Sequence, residues 1–150
     1  MRVVIQRVSR ASVEIEGRTK GQIGKGLLLF AGVGPEDKEE DARWLASKIT
    51  TMRIFEDGGG KMNLSVKDVE GDILLISQFT LYASTRKGNR PSFNGSAPPE
   101  VAVPLYDIFH RELTGIMGKD VPSGEFGAHM NIDLRNDGPV TIIMDSRERK

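Results

Sequence analysis

Apolar and polar positions alternate from Val3 to Glu16, with Val3 and Ile5 leading and Val13 and Ile15 following. Period two of this kind predicts a strand with one buried face. Gly17 to Gly26 carries four glycines and reads as turns around a short strand. The unbroken apolar run Leu27-Leu28-Leu29-Phe30-Ala31 predicts a buried strand, ended by Gly32-Val33-Gly34-Pro35. The period then changes. Ala42, Leu45, Ile49 and Met52 recur at spacings of three and four, one stripe of a helix. Asp37 is expected to cap that helix, with Glu40 three residues on and acidic residues in the first turn, where the helix dipole favours them. Arg53 to Glu56 reads as a short strand and Asp57-Gly58-Gly59-Gly60 as a turn. Ile73 to Ala83 is the strongest strand signal, followed by a polar loop from Ser84 to Gly95.

A second helix is expected between about Pro98 and Met117, with Val101, Leu105, Ile108, Leu113 and Ile116 inward. Pro104 lacks an N–H and clashes with the preceding turn, so the helix starts later than Pro98 or kinks. Gly127 to Met144 reads as two strands joined at Asn136-Asp137-Gly138-Pro139. Strands thus gather at both ends with two helices between. That order predicts an α+β fold with a largely antiparallel sheet, in one domain spanning residues 1–150.

Composition narrows the picture. A chain of 150 residues, 38% hydrophobic and 28% charged, reads as soluble and globular. With no cysteine, disulfides, thiolate catalysis and Cys-ligated zinc are excluded, which fits a reducing compartment. The opening run Val3-Val4-Ile5 breaks at Gln6-Arg7, too short for a signal peptide or a membrane span, so no membrane association and a cytoplasmic location are expected. Lys and Arg number 21 against 21 Asp and Glu. Bulk charge therefore offers no support for a nucleic-acid partner, and any such partner must be held by a local patch.

Three places break the local rules. Alternation along Ile73–Leu81 puts Leu74, Ile76, Gln78 and Thr80 on one face, so polar groups continue an apolar row; alternatively the strand simply runs out into solvent. Counting from Val3 and Ile5 turns Arg7 inward, where a guanidinium needs acceptors; a twist or bulge near it, signalled by the phase shift to Val8, would return it to solvent. Asn136-Asp137-Gly138-Pro139-Val140-Thr141 has ordinary hairpin chemistry, with a proline tolerated directly before a strand.

Familiar catalytic patterns are weak. His110, on the second helix, and His129, on an expected strand, stand in no metal spacing, and there is no Gly-x-Ser-x-Gly elbow, phosphate loop or triad. Thr85-Arg86-Lys87-Gly88-Asn89-Arg90 offers the best anion-binding loop, with three cations around a glycine.

Ser77-Gln78-Phe79-Thr80-Leu81 and Asn136-Asp137-Gly138-Pro139-Val140-Thr141 together resemble the two signature segments of the D-aminoacyl-tRNA deacylase family. The opening Met1-Arg2-Val3-Val4-Ile5-Gln6-Arg7-Val8 and the segment Asn89-Arg90-Pro91-Ser92-Phe93 are similar to that family too, so the resemblance spans essentially the whole chain. It implies a barrel-like, largely antiparallel core with two main helices packed on it, assembled as a homodimer. Ser77, Gln78, Phe79 and Thr80 would line the pocket for the aminoacylated 3′-terminal adenosine of aminoacyl-tRNA. Gly138 and Pro139, joined by a cis bond, would enter the neighbouring subunit's pocket and face the substrate's α-amino end. Arg7 would hold that segment, with Asn136 and Thr141 in support, and Arg86, Lys87 and Arg90 would meet the tRNA. No cofactor or metal is implied.

An activated ester needs little acid–base power, which accommodates the missing triad. Backbone N–H groups around Phe79 and Thr80 would stabilise the developing oxyanion. The attack has two routes: Thr80 as nucleophile, or the free ribose 2′-hydroxyl activating water, the route preferred because no base adjoins Thr80 in sequence. Chirality would be enforced by rejection, an L side chain meeting the wall at Gly138-Pro139 while D-residues and glycine, including glycine misplaced on the alanine tRNA, are accepted. Two readings compete: a non-catalytic dimeric tRNA-binding protein, and a small esterase or amidase without a nucleic-acid partner.

Overall fold

The computed structural model describes residues 1–149. Along the chain run β1 (Arg2–Ile15), β2 (Arg18–Ile23), β3 (Gly26–Gly32), α1 (Glu39–Thr51), β4 (Phe55–Glu56), β5 (Met62–Leu64), β6 (Asp72–Ser77), a 3-10 turn (Phe79–Tyr82), α2 (Pro99–Met117) and β7 (Asn131–Asp145). The fold is α+β in a single domain, a curled, mostly antiparallel sheet with two helices against one face.

β1 is the spine of the sheet. One of its edges carries β7 antiparallel along nearly its whole length, from Arg2 opposite Asp145 to Glu14 opposite Asn131. The other edge is shared: β3 pairs with Arg2–Val8 and β2 with Ala11–Ile15. β6 joins β3 in parallel, which long connections such as that through α1 make possible. β4 and β5 form a separate small ladder, closed by Asp57, whose carboxylate accepts the N–H groups of Gly59 and Lys61.

The unbroken apolar runs are explained by burial on both faces. Leu27, Leu29, Ile73 and Leu75 point to the helices, where Ala42, Leu45 and Ile49 of α1 meet Leu105, Phe109 and Leu113 of α2. Leu28, Leu74 and Ile76 point the other way, into a smaller cluster with Val8, Ala11, Val13 and Ile23. β1 serves both clusters, because Val3 and Ile5 face the helices whereas Val8, Ala11 and Val13 face the second cluster. Its phase changes where the β1–β7 register also shifts, on either side of Val8.

Several expectations are corrected here. β6 ends at Ser77, and the chain from Phe79 to Tyr82 winds into a 3-10 turn instead of continuing to Ala83 as strand. Residues Asn136–Pro139 do not reverse the chain. Gln6 faces Thr141 and Val8 faces Asn136, so four residues of β7 loop out against Arg7 alone. The feature is a large bulge within one strand pair, and such bulges aim side chains and backbone outward. That strand begins at Asn131, which leaves His129 in the preceding loop. The short strand expected from Arg53 is confined to Phe55–Glu56.

Both helices also differ in detail. Lys38, not Asp37, is the N-cap of α1, and Asp41 rather than Glu40 reaches back to accept its N–H at 2.8 Å. α2 starts at Pro99 and runs through Pro104, which lies on the exposed side. A carbonyl left unmatched there meets water at little cost. The buried stripe of α2 is Ala102, Leu105, Tyr106, Phe109 and Leu113, turned slightly from the expected one because the aromatic rings fill the space over β6. Val101, Ile108 and Ile116 are only partly covered. Gly118 ends the helix with φ of 69°, the left-handed conformation that glycine adopts without steric cost.

Candidate active site

The site grows from the open end of β6. Gln78 makes the last ladder-like bond, its N–H donating to the Ala31 carbonyl at 2.8 Å, and the backbone then turns. The turn lies across the end of β3 because Gly32 has no side chain. A Cβ there would stand 2.9 Å from the Gln78 carbonyl oxygen and 3.2 Å from the Tyr82 ring. Phe79 and Thr80 open the turn, where a helix leaves its N–H groups without partners of its own. Within it, Leu81 donates to the Gln78 carbonyl, and Ala83 just beyond donates to that of Thr80.

Ser77, Gln78 and Phe79 line a cleft of about 250 Å³, with Phe126–Met130 as the opposite wall and Ile76 and Ile132 as apolar lining. Thr80 is tied to the same group, its Oγ1 accepting from Gln78 Nε2 at 2.5 Å. Phe79 is 53% exposed, an unusual position for a phenylalanine, and Phe93 meets it edge-on with ring centres 5.1 Å apart. Phe93 follows the loop holding Arg86, Lys87 and Arg90, all exposed, whose stem is closed by paired backbone bonds between Ser84 and Ser92. The cationic loop therefore adjoins the cleft through an aromatic contact.

The second cluster lies at the bulge of β7. Arg7 is buried, 6% exposed, as alternation along β1 predicted. Its Nε donates to the Asp137 carbonyl at 2.9 Å and its Nη1 to the Ile54 carbonyl at 2.7 Å, with the Asp137 carboxylate 3.3 Å away. These acceptors are what an inward guanidinium requires. Asn136 closes the bulge from beneath, donating from Nδ2 to the carbonyls of Arg7 at 2.9 Å and Val140 at 3.1 Å. Gln6 donates to Thr141 Oγ1 at 3.2 Å. The Gly138–Pro139 bond is cis, and Asp137, Gly138 and Pro139 are exposed. Neither Gly138 nor Pro139 lines the cleft of its own chain. Within one chain, the two signature segments thus make two separate places.

Phe126–Met130 escaped the sequence reading. Nothing in its pattern marks Phe126, Ala128 or Met130 as walls of a cleft, and only folding brings that loop opposite Ser77. It is held there by the preceding stretch, where Leu75 donates to the Pro122 carbonyl and Gly124 to that of Leu75. His110 has a structural position, its Nε2 2.8 Å from the Val121 carbonyl oxygen. His129 is exposed at the cleft wall. Among the described residues, no three His, Cys, Asp or Glu side chains converge as metal ligands, and no helix is long and apolar enough to cross a membrane.

Beneath the turn sits a charged network. The Asp37 carboxylate, nearly fully buried, stands 2.6 Å from the Met1 ammonium and accepts the Gly34 N–H at 2.6 Å. Burial, and then the charges of Asp37 and Asp145, push the Tyr82 hydroxyl well above its ordinary range. Tyr82 is therefore a neutral phenol at any working pH and no general base.

Comparison with known proteins gives the family and the fold. A family model described as D-Tyr-tRNA(Tyr) deacylase matches residues 4–145. A protein of Akkermansia muciniphila named D-aminoacyl-tRNA deacylase is 60% identical over 150 residues, covering 100% of both chains. One of Bacteroides thetaiotaomicron with the same name is 53% identical over the same span, again covering both completely. Among solved structures, one titled c-Myc DNA Unwinding Element Binding Protein superposes with a TM-score of 0.90 at 38% identity, over 97% of this chain and 98% of that one. A probable eukaryotic D-amino acid tRNA deacylase superposes with a TM-score of 0.83 at 19% identity, over 95% and 97%, a likeness of fold.

Proposed function

The chain belongs to the family described as D-Tyr-tRNA(Tyr) deacylase, and from that membership we propose that it hydrolyses D-aminoacyl-tRNA in a pocket completed between two copies of itself. The observation that supports this reading is that Ser77, Gln78 and Phe79 line a cleft at the open end of β6, with Thr80 bonded to Gln78 beside it and the first N–H groups of a helical turn at its rim. The products are free tRNA and the D-amino acid. The cleft receives the aminoacylated terminal adenosine, and Arg86, Lys87 and Arg90 lie toward the tRNA phosphates.

Completion in trans is supported by what one chain leaves uncovered. The bulge projects Gly138 and Pro139 outward, and four residues further along the same strand Ile143 is 69% exposed opposite Val4. An apolar side chain that open is a candidate for burial against a second copy. In the dimer, Gly138 and Pro139 of one subunit face the substrate's α-amino group in the other, with Arg7 and Asn136 holding the bulge in shape. An L side chain is driven into this backbone wall. A D side chain points away, and glycine has none, so glycyl-tRNA misformed on the alanine tRNA is also a substrate.

In the reaction, water attacks the ester carbonyl and the ribose oxygen leaves with a proton. The N–H groups of Phe79 and Thr80 stabilise the developing oxyanion, each well-placed donor contributing roughly 3–4 kcal/mol. Thr80 is not the nucleophile in this scheme. Its hydroxyl already accepts from Gln78, and an amide N–H cannot take a proton from it. The neighbouring 2′-hydroxyl of the substrate activates the water, and the protein supplies position. Thr80→Ala is accordingly expected to keep turnover within about tenfold of wild type, whereas removal of a true nucleophile costs several orders of magnitude. Single-turnover hydrolysis of D-tyrosyl-tRNA measures the difference.

The reading itself is tested on matched D-tyrosyl-, L-tyrosyl- and glycyl-tRNA, in the presence of EDTA. Release from the D and glycyl forms alone is expected. Release from neither D nor L leaves a tRNA-binding protein or an esterase of other substrates, and release from both removes the rejection wall.

A further inference from the structure

We propose that Arg2 is a positioning residue for ester hydrolysis, clamping the turn that presents the Phe79 and Thr80 N–H groups to the cleft; this rests on the deacylase reading of that turn. Arg2 opens β1, far from the turn in sequence, yet its guanidinium reaches that turn in two ways and is itself anchored in a third. Nη1 donates to the Leu81 carbonyl at 2.8 Å. The guanidinium carbon lies 4.7 Å from the centre of the Tyr82 ring. Nε donates to the Asp145 carboxylate at 3.1 Å, at the end of β7.

The three contacts have different parts in the clamp. The Leu81 carbonyl stands near the end of a four-residue turn, where carbonyls lack partners within the turn, so an outside donor is needed. The Tyr82 ring is in contact with the guanidinium and also packs closely on the backbone of Gly32 and Gly34, where added Cβ atoms would come within 3.2 Å of it. Asp145 anchors the guanidinium to the sheet. A planar fork with spaced donors can serve Leu81 and Asp145 together, which the single ammonium of lysine cannot do in the same geometry. The Phe79 and Thr80 N–H groups begin the turn that Arg2 closes, so their direction depends on this clamp.

A stability role alone predicts something else. The Arg2–Asp145 pair is partly exposed, and such pairs add little to global stability. The test is single-turnover hydrolysis of D-tyrosyl-tRNA by wild type, Arg2→Ala and Arg2→Lys, well below their melting temperatures, with Arg43→Ala as the control. Arg43 lies on α1, where it bridges Glu39 and Glu112 on the exposed surface. Arg2→Ala is expected to slow the saturated rate roughly 10- to 100-fold while the half-saturating enzyme concentration moves less than about twofold. Arg2→Lys regains part of the loss, and Arg43→Ala changes neither value. Hydrogen exchange in Arg2→Ala is expected to accelerate at the Leu81 and Ala83 amides while the core of β6 keeps its protection.

A saturated rate unchanged in Arg2→Ala overturns the proposal, as does a loss confined to half-saturation or unchanged exchange at Leu81 and Ala83. A wild type that fails to hydrolyse D-tyrosyl-tRNA removes the deacylase reading, and this role with it.

Discussion

Gly138→Ala is expected to lower hydrolysis of D-tyrosyl-tRNA by about 100-fold or more while the protein stays folded. A Cβ on Gly138 would lie 2.0 Å from the Val140 nitrogen and 3.1 Å from its Cα. Backbone cannot yield as a flexible side chain does, so residues 138–140 must move. Gly138 and Pro139 are exposed and belong to neither hydrophobic cluster, and of the three residues only Val140, at the edge of the core at 8% exposure, is buried, so the fold is expected to survive the shift. In the proposed dimer, however, these backbone atoms form the wall of the partner's pocket, where a shift of about 1 Å is enough to misplace the ester. Single-turnover rates on D- and L-tyrosyl-tRNA, with circular dichroism to follow the fold, decide the matter. Wild-type rate and wild-type rejection of the L form in a folded Gly138→Ala protein would take the bulge out of the active site.

The largest effect on stability is expected from Asp37→Asn, a loss of about 3–5 kcal/mol, or on the order of 10 °C in melting temperature. The substitution keeps shape and removes charge. The Met1 ammonium beside it is fully buried and would keep the neutral Ser146 hydroxyl, 2.7 Å away, as its hydrogen-bond partner, with the Asp41 carboxylate, itself bonded to Ser146, as the nearby negative charge. A buried charge that loses its directly paired counter-ion is costly because no water replaces it. The Gly34 N–H would also exchange a carboxylate for an amide oxygen, a weaker acceptor. Urea unfolding followed by fluorescence of Trp44 measures the loss. A change below about 1 kcal/mol would show that the network relaxes or admits water. Because the same carboxylate lies close to Tyr82 under the catalytic turn, a fall in rate is expected to accompany the fall in stability.

Both predictions concern residues whose importance the chain discloses unevenly. Period-two alternation placed Val3, Ile5 and Arg7 on one face, and all three are buried as it implied. The apolar run Leu27–Ala31 announced a buried strand, the strand signal from Ile73 to Ala83 held as far as Ser77, and the spacing Ala42, Leu45, Ile49 located α1. These are local properties, since the spacing of apolar residues along an element decides which side it can bury. The Ser77–Leu81 and Asn136–Thr141 segments were legible in another way, through resemblance, which marks what matters without showing its shape. Alternation failed beyond Ser77, because the glycine at position 32 of a different strand opens room for the chain to turn. The hairpin expected at Asn136–Pro139 failed for a similar reason. Its turn residues do break the strand, but β1 supplies partners on both sides, so the chain bulges and continues in the same direction.

By itself, then, the sequence determined where the main strands and both helices lie, the buried faces of β1 and α1, that an inward Arg7 would need acceptors, and which family the chain resembles. Tertiary structure alone decided that Asp37 neutralises a buried amino group instead of capping α1, and that Phe126–Met130 walls the cleft. It also decided that Arg2 reaches the turn at Leu81. Each of these joins residues distant along the chain, and no periodicity records such a contact. It exists only once the sheet has curled and brought the ends of β1, β6 and β7 together.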